Sequence, residues 1–377
     1  MQTNVINTMF SNENPQRLQS LDILRGFDMF WITGGSALIA ALAKATKWTL
    51  FVTIEKQMHH VSWEGFHFYD LIFPLFMFIM GVAIPFALLP KIESGISKKV
   101  LYRKIFKRFI ILVVFGILYN QASSPDWTNP RIASVLGQIG FAYFFAAIIF
   151  INTRSLRSIA FWISGILILY GLIQNFILVP GFGAGELTPE GSINAFLDQR
   201  ITPGRLYGGT FDPEGVINNF SAVGITLMGT LAGLILRSNT IVNQYRKVLI
   251  LAGLGTIFLI LAYILRGWYP VIKSAWTSTF NLHAGGISLL LLSGFYLVVD
   301  VWKYKNWGFY FKVIGVNSIT IYMGYRFIGF QGISDKLLGG LAIPMGDYGD
   351  LLITLGYLAI IWFCLYWLYK NKVFLRV

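Results

Sequence analysis

The chain has 377 residues, 55% of them hydrophobic and only 12% charged, about half the ionic content of a soluble domain of this length. Too few ionic groups remain to keep a surface wet, so much of it must face lipid. The net charge of +13 would suit nucleic acid in a soluble protein. Here the basic residues fall in short clusters between apolar runs, the pattern that orients membrane proteins, and nucleic acid is excluded as a partner. The single cysteine, Cys364, permits no internal disulfide, and no Cys/His spacing resembles a zinc site.

Residues 1–16 read as a polar cytoplasmic tail without a cleavable signal, so the first span is expected to direct insertion itself. Residues 17–377 read as one transmembrane domain. Crossing the hydrocarbon layer takes about 20 mostly apolar residues. Runs of that kind predict helices near 22–43, 67–89, 104–121, 132–151, 158–179, 218–236, 248–266, 277–301, 313–332 and 350–369. The fold class is therefore all-α: a polytopic bundle of about ten transmembrane helices. The first run is interrupted by Asp22, Arg25, Asp28 and the pair Gly34-Gly35, groups expensive in lipid, and is expected to face protein or water.

With both termini in the cytoplasm, most of the 30 Lys and Arg residues fall on that side, as the positive-inside bias demands. They form groups at Arg17 and Arg25, at Lys91–Arg108, and at Arg154 and Arg157. Further groups are Arg237 to Lys247, Lys303 to Lys312, and Lys370 to Arg376. The outer side receives two long segments, 44–66 and the Gly/Pro-rich 180–217, and loops of that length usually serve a function. No internal repeat of the transporter kind is evident.

Three of the four histidines, His59, His60 and His67, lie together at the outer entrance to the second span, near Trp63, Glu64 and Asp70; the fourth is His283. Imidazole is suited to take and return a proton near neutral pH, and such a cluster can be a reaction centre. Spacing alone favours the plainer reading, that these rings pack in the interfacial belt. Asp70 lies within the apolar stretch and needs a partner or water. A helix continued back to His60 would leave it about 15 Å away along the axis, so Asp70 reaches His60 only if the loop folds back. Asp22 and Arg25 have the spacing of an i, i+3 ion pair. Asn317 and Ser318 can bond between helices or to a polar ligand. Arg131, at the outer end of the fourth span, can bind an anion or snorkel. Asp212 to Gly215 read as a turn. No nucleotide loop, metal motif or nucleophile elbow is present.

The phrases RLQSLDILRG (17–26), HHVSWEG with DLIFPLFMFIMG (59–81), RIASVLGQIGFAYF (131–144), FDPEG (211–215), IKSAWTSTFNLHAGG (272–286) and GVNSITIYMG (315–324) together carry a resemblance. The chain resembles the membrane acetyltransferase family of heparan-α-glucosaminide N-acetyltransferase, bacterial homologues included, with the phrases in the family's order. The resemblance implies an enzyme that takes acetyl from cytoplasmic acetyl-CoA and delivers it to an amino sugar on the outer side. It places the family's active-site histidine on His60, followed by Trp63 and Gly65, and its aspartate on Asp70. Arg131, Asn317 and Ser318 fall on further matching positions. An asparagine of the lysosomal members is replaced here by Ser36, so that role is not carried over. The long lumenal N-terminal domain of those members is missing from this sequence, and a smaller acceptor than heparan is expected.

On this reading His60 is the general base or a transient acetyl carrier, and Asp70 sets the charge state of the histidine or acceptor. Asn317 and Ser318 contact the thioester arm, Trp63 packs on the sugar, and Arg25, Arg103 and Lys104 attract the CoA phosphates. Expected partners are acetyl-CoA or CoA, an amino-sugar acceptor and the lipid bilayer of a bacterial inner membrane, with a homodimer left open. A permease for amino sugars or peptidoglycan fragments is the competing class. An acyltransferase acting on a lipid-linked glycan is a third.

Overall fold

The structure, a computed structural model, describes residues 18–123 and 125–375. The polar tail, Arg17 and Arg376 lie outside the described residues. Each of the ten expected runs falls on helix. The first is α1 (Gln19–Phe30) and α2 (Ser36–Thr46), joined by a π turn at Trp31–Gly35 where Gly34 has φ 151°. A short α3 (Thr49–Gln57) precedes α4 (Phe68–Glu93), and α5 (Lys98–Ser123), α6 (Val135–Thr153) and α7 (Leu156–Phe176) follow. The second outer segment holds a two-stranded hairpin, β1 (Leu178–Val179) with β2 (Gly183–Ala184), and α8 (Ile193–Ile201). Then come α9 (Val216–Arg237), α10 (Gln244–Leu265), α11 (Ser278–Phe295), α12 (Phe309–Val316), α13 (Ser318–Phe327), α14 (Phe330–Ala342) and α15 (Gly349–Lys370).

Among the described residues eight segments are long and apolar enough to cross a membrane, and the remaining two expected spans differ for physical reasons. The first turns of α5 carry Lys98, Lys99, Arg103, Lys104, Lys107 and Arg108. The run at 313–332 is broken at Asn317, whose φ of −114° and ψ of 27° leave the helical region, so α12 and α13 are each too short to span. The protein is an all-α polytopic membrane bundle. The basic turns between helices meet one another, with Lys98 donating to Asn152 at 3.0 Å and Arg237 to Glu93 at 3.3 Å.

At the centre α4 and α9 run side by side. An added Cβ on Gly81 would lie 2.0 Å from the Thr226 carbonyl oxygen, and one on Gly229 would lie 2.0 Å from that of Phe78. Small residues here let two backbones touch, the packing that lipid-embedded helices rely on. Much of the outer surface of α7 and α10 is apolar and exposed, including Phe161, Ile168, Leu169, Leu249, Tyr263 and Ile264, as a lipid-facing wall requires.

Candidate active site

His60 meets Asp70 because the outer segment folds back on itself. His67 caps α4: its backbone N–H donates to Asp70 Oδ2 at 3.0 Å, and its Nδ1 lies 2.9 Å from the His59 carbonyl. The Phe68 N–H donates to the Gln57 side chain at 3.2 Å, closing the loop. His60 is thereby turned inward with Nδ1 2.7 Å from Asp70 Oδ1, and the Tyr69 ring stands 4.8 Å from its own. Asp70 is fully buried, while the His60 side chain is 52% exposed: an acceptor-only group in the wall holds a ring that opens onto a cavity. The other histidines go elsewhere. His59 bonds to Glu55 at the surface, and His283 packs on Phe66. Glu64 is exposed and gives only backbone pairing to Ile272.

That pairing brings in a residue sequence reasoning missed. The Gly65 N–H donates to the Val271 carbonyl at 2.9 Å, docking the His60 loop on the segment before α11. Lys273 in that segment places Nζ 2.9 Å from His60 Nδ1, 3.3 Å from Nε2 and 3.3 Å from Asp70 Oδ1. The turn is anchored by Trp276, which is buried between Phe73 and Phe280 and held at φ 48°. A bulky side chain in the left-handed region costs about 1–2 kcal/mol, offset here by the full burial of the indole. Burial pushes the Lys273 ammonium below the usual lysine range, and the Asp70 carboxylate pulls it back up. A lysine in the middle of a short outer connection, against the charge bias of the chain, was the available signal.

These groups line an outer cavity of about 460 Å³, with Trp63, Arg131, Tyr119, Tyr322, Phe211 and Glu214 in its walls. The Trp63 Nε1–H donates to the Leu187 carbonyl at 2.8 Å, and its ring meets Phe211 edge-on. Arg131 does bind carboxylates, but they belong to its own chain. Its Nε–H donates to Asp212 Oδ2 at 2.8 Å, one Nη2–H donates to Asp212 Oδ1 at 2.6 Å, and Nη2 also donates to Glu214. Residues 212–215 are thus an anchored wall and not only a turn. Burial opposes the charge of Arg131, and Asp212 and Glu214 more than restore it, raising its pKa. Burial also raises the Glu214 carboxyl, against the pull of Arg131.

A second cavity of about 270 Å³ lies deeper in the bundle and shares Phe76, Leu136, Ile139, Ser318 and Ile319 with the first. Its far wall carries Arg25 and Arg108. Arg25 stands 3.6 Å from Asp22, so the expected ion pair forms. Arg103 and Lys104 are exposed and do not line it. The second cation at this end is Arg108, which lies over Tyr143 at 4.2 Å and whose buried Nε has no hydrogen-bond partner among the described residues. Arg108 follows Arg103 and Lys104 in the same helix, and only the packing of α5 distinguishes the inward cation from the outward ones. Ser318 lines both cavities. Asn317 is buried beside it, with both side-chain polar atoms unpartnered among the described residues. His60, Asp70, Trp63 and Arg131 therefore meet at the outer cavity, Ser318 at the junction, and Arg25 at the inner end.

Comparison with known proteins finds relatives along most of the chain. A family model described as a domain of unknown function, DUF5009, matches residues 17–185, a stretch that contains His60, Asp70 and Arg131. Heparan-alpha-glucosaminide N-acetyltransferase of Homo sapiens is 27% identical over 366 residues, covering 83% of this chain and 53% of the human protein. The Mus musculus protein of the same name is 27% identical over 320 residues, covering 71% of this chain and 49% of its own length. The chain spans about half the length of these curated relatives. The resemblance read from the sequence phrases is borne out by both.

Proposed function

We propose, from that relationship, that the protein is a membrane acetyltransferase that moves acetyl from acetyl-CoA, entering through the inner cavity, to a small amino-sugar acceptor held in the outer one. The observation that carries this reading is the shared wall at Phe76, Ser318 and Ile319. It joins a cation-lined inner cavity to an outer cavity containing a carboxylate-held histidine. Arg25 and Arg108 suit the phosphates of the donor, since guanidinium groups bind phosphate in bidentate fashion. An acyl-bearing arm reaching past Ser318 would approach His60 from within the bundle. The aromatic walls formed by Trp63, Tyr119, Phe211 and Tyr322 suit the apolar faces of a sugar ring.

The chemistry follows from the protonation pattern. With Nδ1–H directed at Asp70, the Nε2 lone pair faces the cavity. His60 then removes the amine proton as nitrogen attacks the thioester carbonyl, or attacks the carbonyl itself and passes the acetyl group on. In either route the amide C–N bond replaces the thioester C–S bond, and the proton ends on the departing thiolate. The setting we infer is a bacterial inner membrane with the His60 end outward.

The test is acetyl-CoA-dependent acetylation of glucosamine-type amines by the purified protein in lipid nanodiscs. His60→Ala should lower the rate about 10²–10⁴-fold with an unchanged melting temperature. Undiminished transfer by that variant would remove His60 from the mechanism. Accumulation of labelled amino sugar in vesicles without acetyl-CoA would identify a permease instead.

A further inference from the structure

We propose that Lys273 is a positioning residue for His60: by pairing with Asp70, its ammonium lets the carboxylate orient the imidazole through Nδ1 while the ring stays uncharged and Nε2 stays available. This rests on the reading of His60 as the reactive group and adds a further residue to it. A carboxylate alone against an imidazole favours the imidazolium ion, which can neither accept a proton nor attack a carbonyl. A cation touching both partners opposes that. Nδ1 cannot donate to Asp70 and accept from Lys273 at once. The 2.7 Å contact to the carboxylate takes the ring proton. Lys273, 3.3 Å from the same oxygen, directs a hydrogen to Asp70, and its charge acts on the ring from 2.9 Å.

The other charged and titratable groups near His60 are accounted for. From α4 come Asp70 and Tyr69, and His67 is bonded to the His59 carbonyl. On the α3 side Glu55 is occupied with His59, and Glu64 is exposed. Across the cavity Glu214 and Asp212 are both held by Arg131. Lys273 is the cation in contact with the ring among the described residues.

During transfer the N–C bond forms as the C–S bond breaks. The amine proton passes to Nε2 and on to the thiolate, so neutral amine and acetyl-CoA give amide and CoA thiol with no proton left over. The ammonium beside the ring makes the transient imidazolium a readier proton donor, which speeds the return step.

The experiment measures His60 directly, without substrate. Wild type, Lys273→Met, Lys273→Arg and Asp70→Asn are purified in detergent and treated with diethyl pyrocarbonate, which reacts with uncharged imidazole. The rate at His60 is followed across the neutral pH range by peptide mass spectrometry, with His59 as the control outside the site. Removing one unit charge in contact with a half-exposed ring should raise the reaction midpoint of His60 in Lys273→Met by about one pH unit or more. Lys273→Arg should stay near wild type, and the acid limb of kcat/KM for acetyl transfer should move with the midpoint. Asp70→Asn should move the midpoint down, and Lys273→Gln, purified likewise and keeping a polar side chain in the wall, should raise it as Lys273→Met does, which keeps the test decisive should Lys273→Met not fold. An unmoved midpoint in a folded Lys273→Met overturns the proposal, as does a loss of kcat with both pH profiles in place. A protein that titrates as expected yet transfers no acetyl would retain the Lys273 role and refute the acetyltransferase reading instead.

Discussion

Replacing Arg131 with Met removes the one guanidinium that faces two buried carboxylates, Asp212 at 0% and Glu214 at 10% side-chain exposure. Asp212 keeps the backbone N–H groups of Tyr207 and Glu214, at 2.9 and 3.0 Å, so Glu214 is left in the worse position. Breaking a buried pair from one side costs about 3–5 kcal/mol. Unfolding entropy near 2.1 cal/mol/K per residue gives roughly 0.8 kcal/mol/K for a chain of this size, so the melting temperature should fall by about 5 °C. The loss has a definite pH signature. Burial already raises Glu214, and without Arg131 its folded-state value rises further above the unfolded one. A raised carboxyl contributes stability at low pH that is lost as pH rises through its folded value. The deficit of Arg131→Met should therefore be greatest at mildly alkaline pH and shrink on acidification, and Glu214→Gln in the same chain should recover most of it. Intrinsic tryptophan fluorescence melts at several pH values read this directly. A deficit that widens toward acid, or one untouched by Glu214→Gln, would refute the assignment of Arg131 as the counter-charge of the 212–215 wall.

Three further outcomes are expected. Ser318→Trp fills the junction between the cavities and should reduce acetyl transfer about a hundredfold or more while acetyl-CoA still raises the melting temperature; full activity would mean that the path does not pass Ser318. Asp198 accepts from the N–H groups of Asp212 and Val216 and from the Thr202 hydroxyl, yet burial pushes its carboxyl up to about 6. Its contribution should be complete below about pH 4 and fade through about pH 6, some 3 kcal/mol in all, so Asp198→Asn should flatten the pH dependence of stability in that window, and parallel profiles would contradict it. Gly229→Val forces a side chain against the Phe78 carbonyl and should destabilise the α4–α9 contact by about 3 kcal/mol or more, measured as early unfolding in detergent.

Hydropathy located the helical runs because a bilayer asks the same thing of every span, about 20 apolar residues with satisfied backbones. The His60 site was legible only conditionally. Asp70 demanded a partner, but helical rise put His60 out of reach, and it took the Gln57, His59 and His67 contacts to fold the segment back. The role of Lys273 is not legible from the sequence, because its partners are more than 200 positions away and no local period reports that. Arg131 shows the opposite: its charge points to an anion, and the anions are Asp212 and Glu214 of the same chain, whose local sequence signals only a turn. Charge alone does not separate Arg103 and Lys104 from Arg108; the rotation of α5 against α6 leaves the first two exposed and turns Arg108 to the inner cavity.

Irregular backbone in a membrane protein survives only where protein buries it or a polar cavity takes it up, and two of the interruptions among the described residues, at Trp31–Gly35 and at Asn317, adjoin the walls of the two cavities. The π turn at Trp31–Gly35 follows Met29 and contains Ile32, both in the wall of the outer cavity. Its Thr33 carbonyl is satisfied by the Tyr357 hydroxyl at 2.6 Å, so the protein itself takes up this part of the break. At Asn317 it does not: this residue stands directly behind the junction wall formed by Val316 and Ser318, lining neither cavity itself, and its buried amide has neither donor nor acceptor matched among the described residues. An unpaired buried amide costs about 1–3 kcal/mol. A polar arm lying between the two cavities would repay that by bonding to it, and the pantetheine amides of an acyl-CoA are such an arm. Asn317→Leu should therefore leave the empty protein as stable as wild type or more so, while weakening acetyl-CoA binding about tenfold or more. A variant that is destabilised when empty and binds acetyl-CoA normally would make Asn317 a structural residue and remove it from the transfer path.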